Sequence, residues 1–243
     1  MVSFAPGLIC GEWKLVLPEF RVAFHAERPD WERGRLEHAF ERIRPGMRVF
    51  DVGAEHGDFT ALYRSWGAEV VPIEPSPPYW PCIRQTFEAN GFEPPPAWFT
   101  GFAADTTARG DLALGRRGWP ACSLGDVVAD FGFRHLAQDQ ETPRITIDDL
   151  AVSVGWPEAL MIDVEGAEWA VLKGAERALR ARNVLVWVSV HEPTLRAWYR
   201  RALDDLVSLM ADSHYVAEQL PSHGETEAFW FFERQYPTFA SQR

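Results

Sequence analysis

Residues 49–57 read Val-Phe-Asp-Val-Gly-Ala-Glu-His-Gly, and this stretch decides the fold. Its apolar residues are typical of a buried parallel strand, with Asp51 where that strand ends. Gly53 and Gly57 permit a tight turn and a close approach of the backbone to a ligand. A helical pattern follows at once. Strand, glycine turn and helix begin a nucleotide-binding βαβ unit, although an ordinary strand-to-helix turn has the same appearance.

A second predicted strand, residues 69–74, also ends in an acidic residue. Glu74 follows the glycine turn by about 20 residues, a position suited to accepting hydrogen bonds from ribose hydroxyls. The Gly-x-Gly-x-x-Gly pattern of NAD sites is absent, because Glu55 occupies one of its glycine positions. A carboxylate there repels a pyrophosphate, whereas adenosylmethionine has no pyrophosphate and carries a positive sulfonium. The sequence therefore favours a methyl donor over NAD.

Composition limits the classes of partner. The formal net charge of -11 disfavours a nucleic acid. Cys10, Cys82 and Cys122 are few and scattered, which predicts neither a disulfide framework nor a Cys-x-x-Cys metal site and indicates a reducing cytosol. No apolar run approaches the ~20 residues of a membrane span. We therefore predict a cytoplasmic protein with a small-molecule partner and no membrane partner.

The pattern along the chain predicts an α/β fold with a doubly wound, Rossmann-like sheet of seven strands and an antiparallel last strand. The later strands are predicted at residues 98–104, 159–164, 184–190, 216–220 and 228–233, and the main helices at 31–44, 80–90, 167–180 and 194–213. Residues 1–45 are predicted to be an N-terminal extension with a helix, and residues 46–243 the main domain. Residues 106–145 are predicted to be an inserted loop or lid with an edge strand near 126–131.

Polar residues recur where the predicted strands end, the edge at which open α/β sheets bind ligands. They are Asp51, Glu74, Asp105, Asp163, Glu165, His191 and Glu192. Six carboxylates and one histidine on one edge indicate a functional site more strongly than any single motif. Glu165 and Glu168 also lie near a helix N-terminus, where negative charge is favourable without any function. For Glu168 that structural role is the favoured interpretation.

Four segments together resemble a known family. They are Asp51-Val-Gly-Ala, Glu74-Pro, Thr146-Ile-Asp-Asp-Leu, and residues 162–175, which read Ile-Asp-Val-Glu-Gly-Ala-Glu-Trp-Ala-Val-Leu-Lys-Gly-Ala. In these segments the chain resembles the FkbM family of adenosylmethionine-dependent methyltransferases, over roughly residues 47–193. The resemblance implies a class I methyltransferase fold and, usually, methyl transfer to a hydroxyl oxygen of a sugar or natural product.

The resemblance also implies residue roles. Asp51, Gly53, Ala54 and Gly57 would form the loop at the methionine side of the donor, and Glu74 would hold the ribose. Position adds two more residues to the predicted cofactor-binding set, Glu55 in the glycine turn and Asp105 at the end of the third strand. An NAD-dependent oxidoreductase and a non-catalytic Rossmann-like binding domain are the alternatives.

Methyl transfer to oxygen requires in-line alignment and help in removing the hydroxyl proton. That help comes from a base or from a metal that acidifies the hydroxyl. Asp163, His191 and Glu192, at neighbouring strand ends, are the predicted catalytic residues. They are also the predicted ligands of a divalent metal, and manganese, iron or zinc suits such a set better than magnesium. The alternative is His191 as general base, oriented by Asp163 or Glu192.

The insertion is predicted to cover the acceptor pocket. Arg116, Arg117 and Trp119 are the residues expected to grip a polar or anionic acceptor.

Overall fold

A computed structural model of the protein describes residues 2–127, 141–181, 183–221 and 227–233. The strands in these ranges are β1 (Phe4–Ile9), β2 (Trp13–Pro18), β3 (Arg48–Val52), β4 (Glu69–Ile73), β5 (Ala97–Phe99), β6 (Phe102–Ala103), β7 (Leu114–Arg116), β8 (Arg144–Ile145), β9 (Ala159–Asp163), β10 (Leu185–Val190), β11 (Tyr215–Gln219) and β12 (Glu227–Glu233). The α-helices are α1 (Glu19–Glu27), α2 (Arg33–Phe40), α3 (Asp58–Ser65), α4 (Trp80–Ala89), α5 (Ile147–Val154), α6 (Glu168–Lys173), α7 (Glu176–Ala181), α8 (Glu192–Tyr199) and α9 (Leu203–Asp212).

One sheet of eight strands forms the centre, in the order β11-β12-β10-β9-β3-β4-β5-β7. Strands β10, β9, β3, β4 and β5 run parallel, and β12 is antiparallel to both β10 and β11. The predicted doubly wound α/β sheet with an antiparallel last strand is therefore confirmed. The strand count of seven becomes eight, because β7 pairs antiparallel with β5 at the far edge.

The predicted third strand, residues 98–104, is two strands. After β5 the chain leaves the main sheet at Gly101, and β6 pairs with β8 in a separate small sheet. The edge strand predicted near 126–131 falls largely outside the described residues, and the edge strand that the structure does describe is β7.

Two predicted long helices are each broken in two. Asp148 accepts hydrogen bonds from the backbone nitrogens of Arg177 and Ala178, both at 2.8 Å, so it caps a new helix, α7, after α6 ends. The break between α8 and α9 lies at Arg200, which has a φ of +52°. Apolar periodicity continues across both breaks because the two halves pack on the same core. Sequence periodicity alone therefore does not reveal them.

Apolar side chains cover both faces of the sheet, and alternate residues of one strand enter different clusters. Phe50 and Val52 belong to one cluster, and Val49 to the other. The second cluster also contains Ile9 and Leu17 from the β1–β2 hairpin, so the N-terminal segment packs into the same core. The predicted helix over residues 31–44 is shortened to α2, while α1 was not predicted. No helix in the described ranges is long and apolar enough to cross a membrane.

Candidate active site

A cavity of about 560 Å³ opens at the carboxyl edge of β3, β4, β9 and β10. Most of the sequence-predicted site residues line it: Asp51, Gly53, Ala54, Glu55, Glu74, Asp105, Asp163 and His191. Glu165 lines it too, whereas Gly57 and Glu192 do not. Parallel strands whose carboxyl ends meet at one edge explain why residues far apart in sequence converge here.

The turn after β3 needs glycine at position 53. Gly53 has a φ of +90°, and a Cβ atom there would lie 1.8 Å from the backbone oxygen of Asp163. The turn is fixed to the next strand, because the nitrogens of Gly53 and Ala54 donate to the oxygen of Ile73 at 2.9 and 3.2 Å. Gly53 thus brings the turn directly against the end of β9.

Gly57 packs against a neighbouring helix and does not line the cavity. Its φ is +80°, and a Cβ atom would lie 2.8 Å from the Cα of Ile83 on α4. It therefore lets α3 begin and pack closely on α4. The motif does not distinguish a ligand contact from a helix contact, so a cofactor-binding role for Gly57 stays a prediction.

Two buried carboxylates lie at the ends of β3 and β4. Glu74 is 4% exposed and accepts from the backbone nitrogens of Glu55, at 2.9 Å, and Ser76, at 2.7 Å. Burial raises its pKa to about 7. Asp51 accepts from the hydroxyl of Thr60 at 2.5 Å, and burial raises its pKa to about 6. Each carboxylate is held in place while facing the cavity.

The N-terminal segment supplies a wall of the cavity that sequence reasoning missed. Arg21 donates twice to one oxygen of Asp58, at 2.7 and 2.9 Å, and Nε2 of His25 lies 2.6 Å from that oxygen. Phe24 on the same helix and Trp31 line the cavity beside this cluster. The available signal was the four-residue spacing of Arg21 and His25, which places both on one helix face.

His191 lies at the centre of three carboxylates. Its Nδ1 is 2.8 Å from Oε1 of Glu168, while its Nε2 is 3.3 Å from Oε2 of Glu165 and 3.6 Å from Oδ1 of Asp163. Burial lowers the pKa of His191, but hydrogen bonds with Glu165 and Glu168 outweigh it and raise the pKa to about 11. The ring is therefore an imidazolium at neutral pH when nothing else binds it.

Glu168 is a buried anchor for that ring. It is 0% exposed, and its Oε1 also accepts from the backbone nitrogens of Gly166 (2.9 Å) and His191 (3.3 Å). Its second oxygen makes no hydrogen bond with the described residues. The structural role favoured for Glu168 thus includes fixing the predicted catalytic histidine.

Asp163 is held from its other side. Its Oδ2 is 3.5 Å from Nη2 of Arg35, whose Nε donates to Glu32 at 2.5 Å. The pKa of Asp163 is raised because burial outweighs the lowering effects of Arg35 and His191. The Oδ1 atom is left facing His191.

Glu192 does not join the cluster as predicted. It begins α8, and its Oε1 accepts from Arg196 Nη2 at 2.6 Å and from the Leu203 nitrogen at 3.3 Å. Glu165 takes its place beside His191. Adjacency to His191 in sequence suggested Glu192, but the helix that starts there turns its side chain away from the cavity.

The insertion contributes less than predicted in its described part. Arg116 donates to the backbone oxygen of Ser153, and the Trp119 ring packs against Phe87 with centroids 5.4 Å apart. Neither these residues nor Arg117 line the cavity, whereas Thr106 and Arg144 do. Residues 128–140 lie outside the described part of the chain.

A family model described as a methyltransferase FkbM domain matches residues 51–234, which is more than half of the chain. The chain belongs to the FkbM methyltransferase family. The resemblance carried by its sequence motifs is thereby confirmed, and this FkbM protein has the adenosylmethionine-dependent methyltransferase fold that those motifs implied. No protein with curated annotation matches it.

Solved structures agree on the fold. A methyltransferase FkbM from Methylobacillus flagellatus KT is 18% identical with a TM-score of 0.51, covering 79% of this chain and 44% of its own. An SAM-dependent methyltransferase from Agrobacterium tumefaciens is 10% identical with a TM-score of 0.50, covering 96% of this chain and 71% of its own. The present chain thus spans less than half the length of the Methylobacillus protein. Both matches support the class I sheet.

Proposed function

We propose that this FkbM protein transfers a methyl group from adenosylmethionine to a hydroxyl oxygen of a sugar or natural-product small molecule. The observation that carries the proposal is the His191 cluster. His191, Asp163 and Glu165 line the same cavity as the turn of Gly53 to Glu55, where the donor would bind. Gly53 in that turn lies directly against the backbone of Asp163. This arrangement supports a donor methyl bound next to a group that acts on the hydroxyl of the acceptor.

The donor side rests on Glu74, Asp51 and the turn of Gly53 to Glu55. Glu74 would accept hydrogen bonds from the ribose hydroxyls, while Asp51 and the turn would hold the methionine end. Carboxylates suit this ligand, because it carries a sulfonium and an ammonium group. Asp105, exposed at the cavity edge, is the remaining residue of the proposed donor set.

The acceptor side would rest on aromatic side chains that line the cavity, among them Phe24 and Trp31 from the N-terminal segment and Trp198 and Tyr199 from α8. Aromatic walls with a few placed polar groups are typical of small-molecule sites. We infer that residues 1–45 act as an extension to the methyltransferase domain, residues 46–243, and that this extension and the insertion at 106–145 shape the acceptor site. A cytoplasmic location stays a prediction from the three free cysteines.

In the reaction, the hydroxyl oxygen attacks the methyl carbon, the carbon–sulfur bond breaks to give adenosylhomocysteine, and the hydroxyl proton passes to a base or to water. The high pKa of His191 opposes the mechanism in which that residue accepts the proton as a free base, because an imidazolium has no acceptor nitrogen. A divalent metal held by the same cluster is the other predicted means of activating the hydroxyl.

The experiment compares ligands and variants. We expect adenosylmethionine and adenosylhomocysteine, but not NAD, to raise the melting temperature, because a bound ligand stabilises the folded state. We expect His191→Ala to lose methyl transfer to a panel of sugars and hydroxylated natural products while keeping its calorimetric affinity for adenosylhomocysteine. Stabilisation by NAD alone, or full turnover by His191→Ala, would contradict the proposal.

A further inference from the structure

We propose that Asp163, Glu165 and His191 form a binding site for one divalent metal ion at the cavity wall. The inference deepens the proposed function, because it names the group that would act on the acceptor hydroxyl. One donor atom from each residue lies within 4.8 Å of the others. The ligand set differs from the one predicted from sequence, since Glu165 replaces Glu192.

The separations fit adjacent ligands of one ion. Nitrogen and oxygen ligands lie about 2.0–2.2 Å from such an ion, so neighbouring ligand atoms are about 3.0–3.5 Å apart in octahedral or tetrahedral shells. The Nε2 atom of His191 is 3.3 Å from Glu165 and 3.6 Å from Asp163. The donor atoms of Asp163 and Glu165 lie within 4.8 Å of each other, so binding one ion would draw these two side chains closer together.

The histidine is oriented as a metal ligand. Glu168 is fully buried and holds Nδ1 at 2.8 Å, so Nε2 is directed at the carboxylates beside the cavity. Metal-bound histidines characteristically donate their other nitrogen to a carboxylate, which fixes the ring and raises its basicity. Three hydrogen-bond donors on one oxygen of Glu168 keep this anchor rigid.

Asp163 is oriented in a similar way. Arg35 contacts Oδ2 at 3.5 Å, which leaves Oδ1 for the ion. The positive charge of Arg35 is balanced by Glu32 at 2.5 Å, and Glu32 also accepts from the Ser189 hydroxyl at 3.1 Å. Arg35 therefore acts as a positioning residue and leaves the negative charge of the cluster in place.

Glu165 stands on unusual backbone. Its φ is +54°, in the left-handed region that non-glycine residues rarely adopt. Such conformations cluster at functional sites, where the surrounding structure enforces them. The Glu165 side chain is 47% exposed, so the site is open on one side to a further ligand. A site with three protein ligands and an open position is the catalytic kind.

One nitrogen and two carboxylates favour manganese, iron or zinc over magnesium. When bound, the ion would act as a Lewis acid that lowers the pKa of a coordinated hydroxyl.

The probe is Mn²⁺. The full chain is stripped with EDTA, and Mn²⁺ binding is followed by electron paramagnetic resonance and calorimetry. We expect one ion per chain. His191→Ala and Asp163→Asn should abolish binding, and Glu168→Gln should weaken it by about 10- to 100-fold, as loss of a ligand-orienting partner does. Glu192→Gln is the matched control, because its carboxylate neighbours the cluster in sequence only, and it should bind Mn²⁺ like the wild type.

Adenosylhomocysteine affinity is measured in every variant to show that the fold is intact. Absence of Mn²⁺ binding by the wild type, or wild-type binding by His191→Ala with an intact donor site, overturns the metal proposal. Methyl transfer to a hydroxyl at full rate by the stripped protein overturns the action of the ion on the acceptor hydroxyl while leaving the proposed function standing. Stoichiometric Mn²⁺ binding without methyl transfer to any hydroxyl supports the metal site and contradicts the proposed function instead.

Discussion

The Nη2 atom of Arg35 lies 3.5 Å from Oδ2 of Asp163, although the two residues are 128 positions apart in the chain. Arg35 precedes the region that the family model matches, and its side chain is almost completely buried. The N-terminal segment is thus built into the wall of the site. Its charge network joins α2 to the ends of β9 and β10 through Glu32, Asp163 and Ser189.

Loss of Arg35 should destabilise the fold. Arg35→Met removes the buried guanidinium that pairs with the Glu32 carboxylate at 2.5 Å, and we expect the free energy of unfolding to fall by about 3 kcal/mol. Urea denaturation measures the change. Arg33→Met on the same helix is the control: its ion pairs with Asp30 and Glu37 are partly exposed, so we expect less than about 1 kcal/mol. Equal losses in the two variants would show that burial of the pair is not the cause.

Loss of either buried carboxylate should weaken donor binding. We expect Glu74→Ala and Asp51→Ala each to reduce adenosylhomocysteine affinity at least about tenfold, which is about 1.4 kcal/mol, as measured by calorimetry. Glu69→Ala is the matched control, because Glu69 begins the same strand that Glu74 follows and is half-exposed at the opposite edge. Wild-type affinity in both Glu74→Ala and Asp51→Ala would contradict the assignment of the donor site to the ends of these two strands.

Donor affinity should depend on pH through Glu74. Its raised pKa of about 7 means that the carboxylate is largely ionised at pH 8 and largely protonated at pH 6. A protonated carboxyl is the weaker acceptor for ribose hydroxyls, so we expect adenosylhomocysteine to bind about tenfold more weakly at pH 6 than at pH 8. Affinity should therefore be lost as the pH falls. Glu74→Gln cannot titrate at this position, and the same slope in that variant would assign the effect to another group.

Alanine at position 53 should be far more damaging than alanine at another glycine of similar backbone. Gly53 has a φ of +90° and lies against Asp163, whereas Gly46 has a φ of +84° and a Cβ atom there would meet nothing within 4 Å. We expect Gly46→Ala to lower the free energy of unfolding by about 1–2 kcal/mol, because alanine is unfavourable in this left-handed backbone conformation. Overpacking should add about 1–3 kcal/mol in Gly53→Ala, with reduced adenosylhomocysteine affinity. Thermal and urea unfolding measure the stability of both variants. Similar losses of unfolding free energy in Gly46→Ala and Gly53→Ala would mean that the structure relaxes freely around the contact with Asp163.

The chain by itself determined the sheet and most of the cavity edge. Apolar strands that end in Asp51, Glu74 and Asp163 fix a parallel sheet, and the carboxyl ends of parallel strands must share one edge. The family could also be predicted from the sequence, because the motif at residues 162–175 is contiguous.

Only the tertiary structure decided which neighbours face the cavity. Glu165 is close to Asp163 in sequence, and Glu192 is next to His191. The left-handed backbone of Glu165 brings its side chain to His191, whereas Glu192 begins a helix and its side chain binds Arg196. Likewise, the spacing of Arg21 indicates a shared helix face with His25 but does not identify its partner Asp58, and the sequence around Arg35 does not identify its partner Asp163. Side-chain direction and long-range ion pairs depend on how elements pack, whereas periodicity records only which face of each element is apolar.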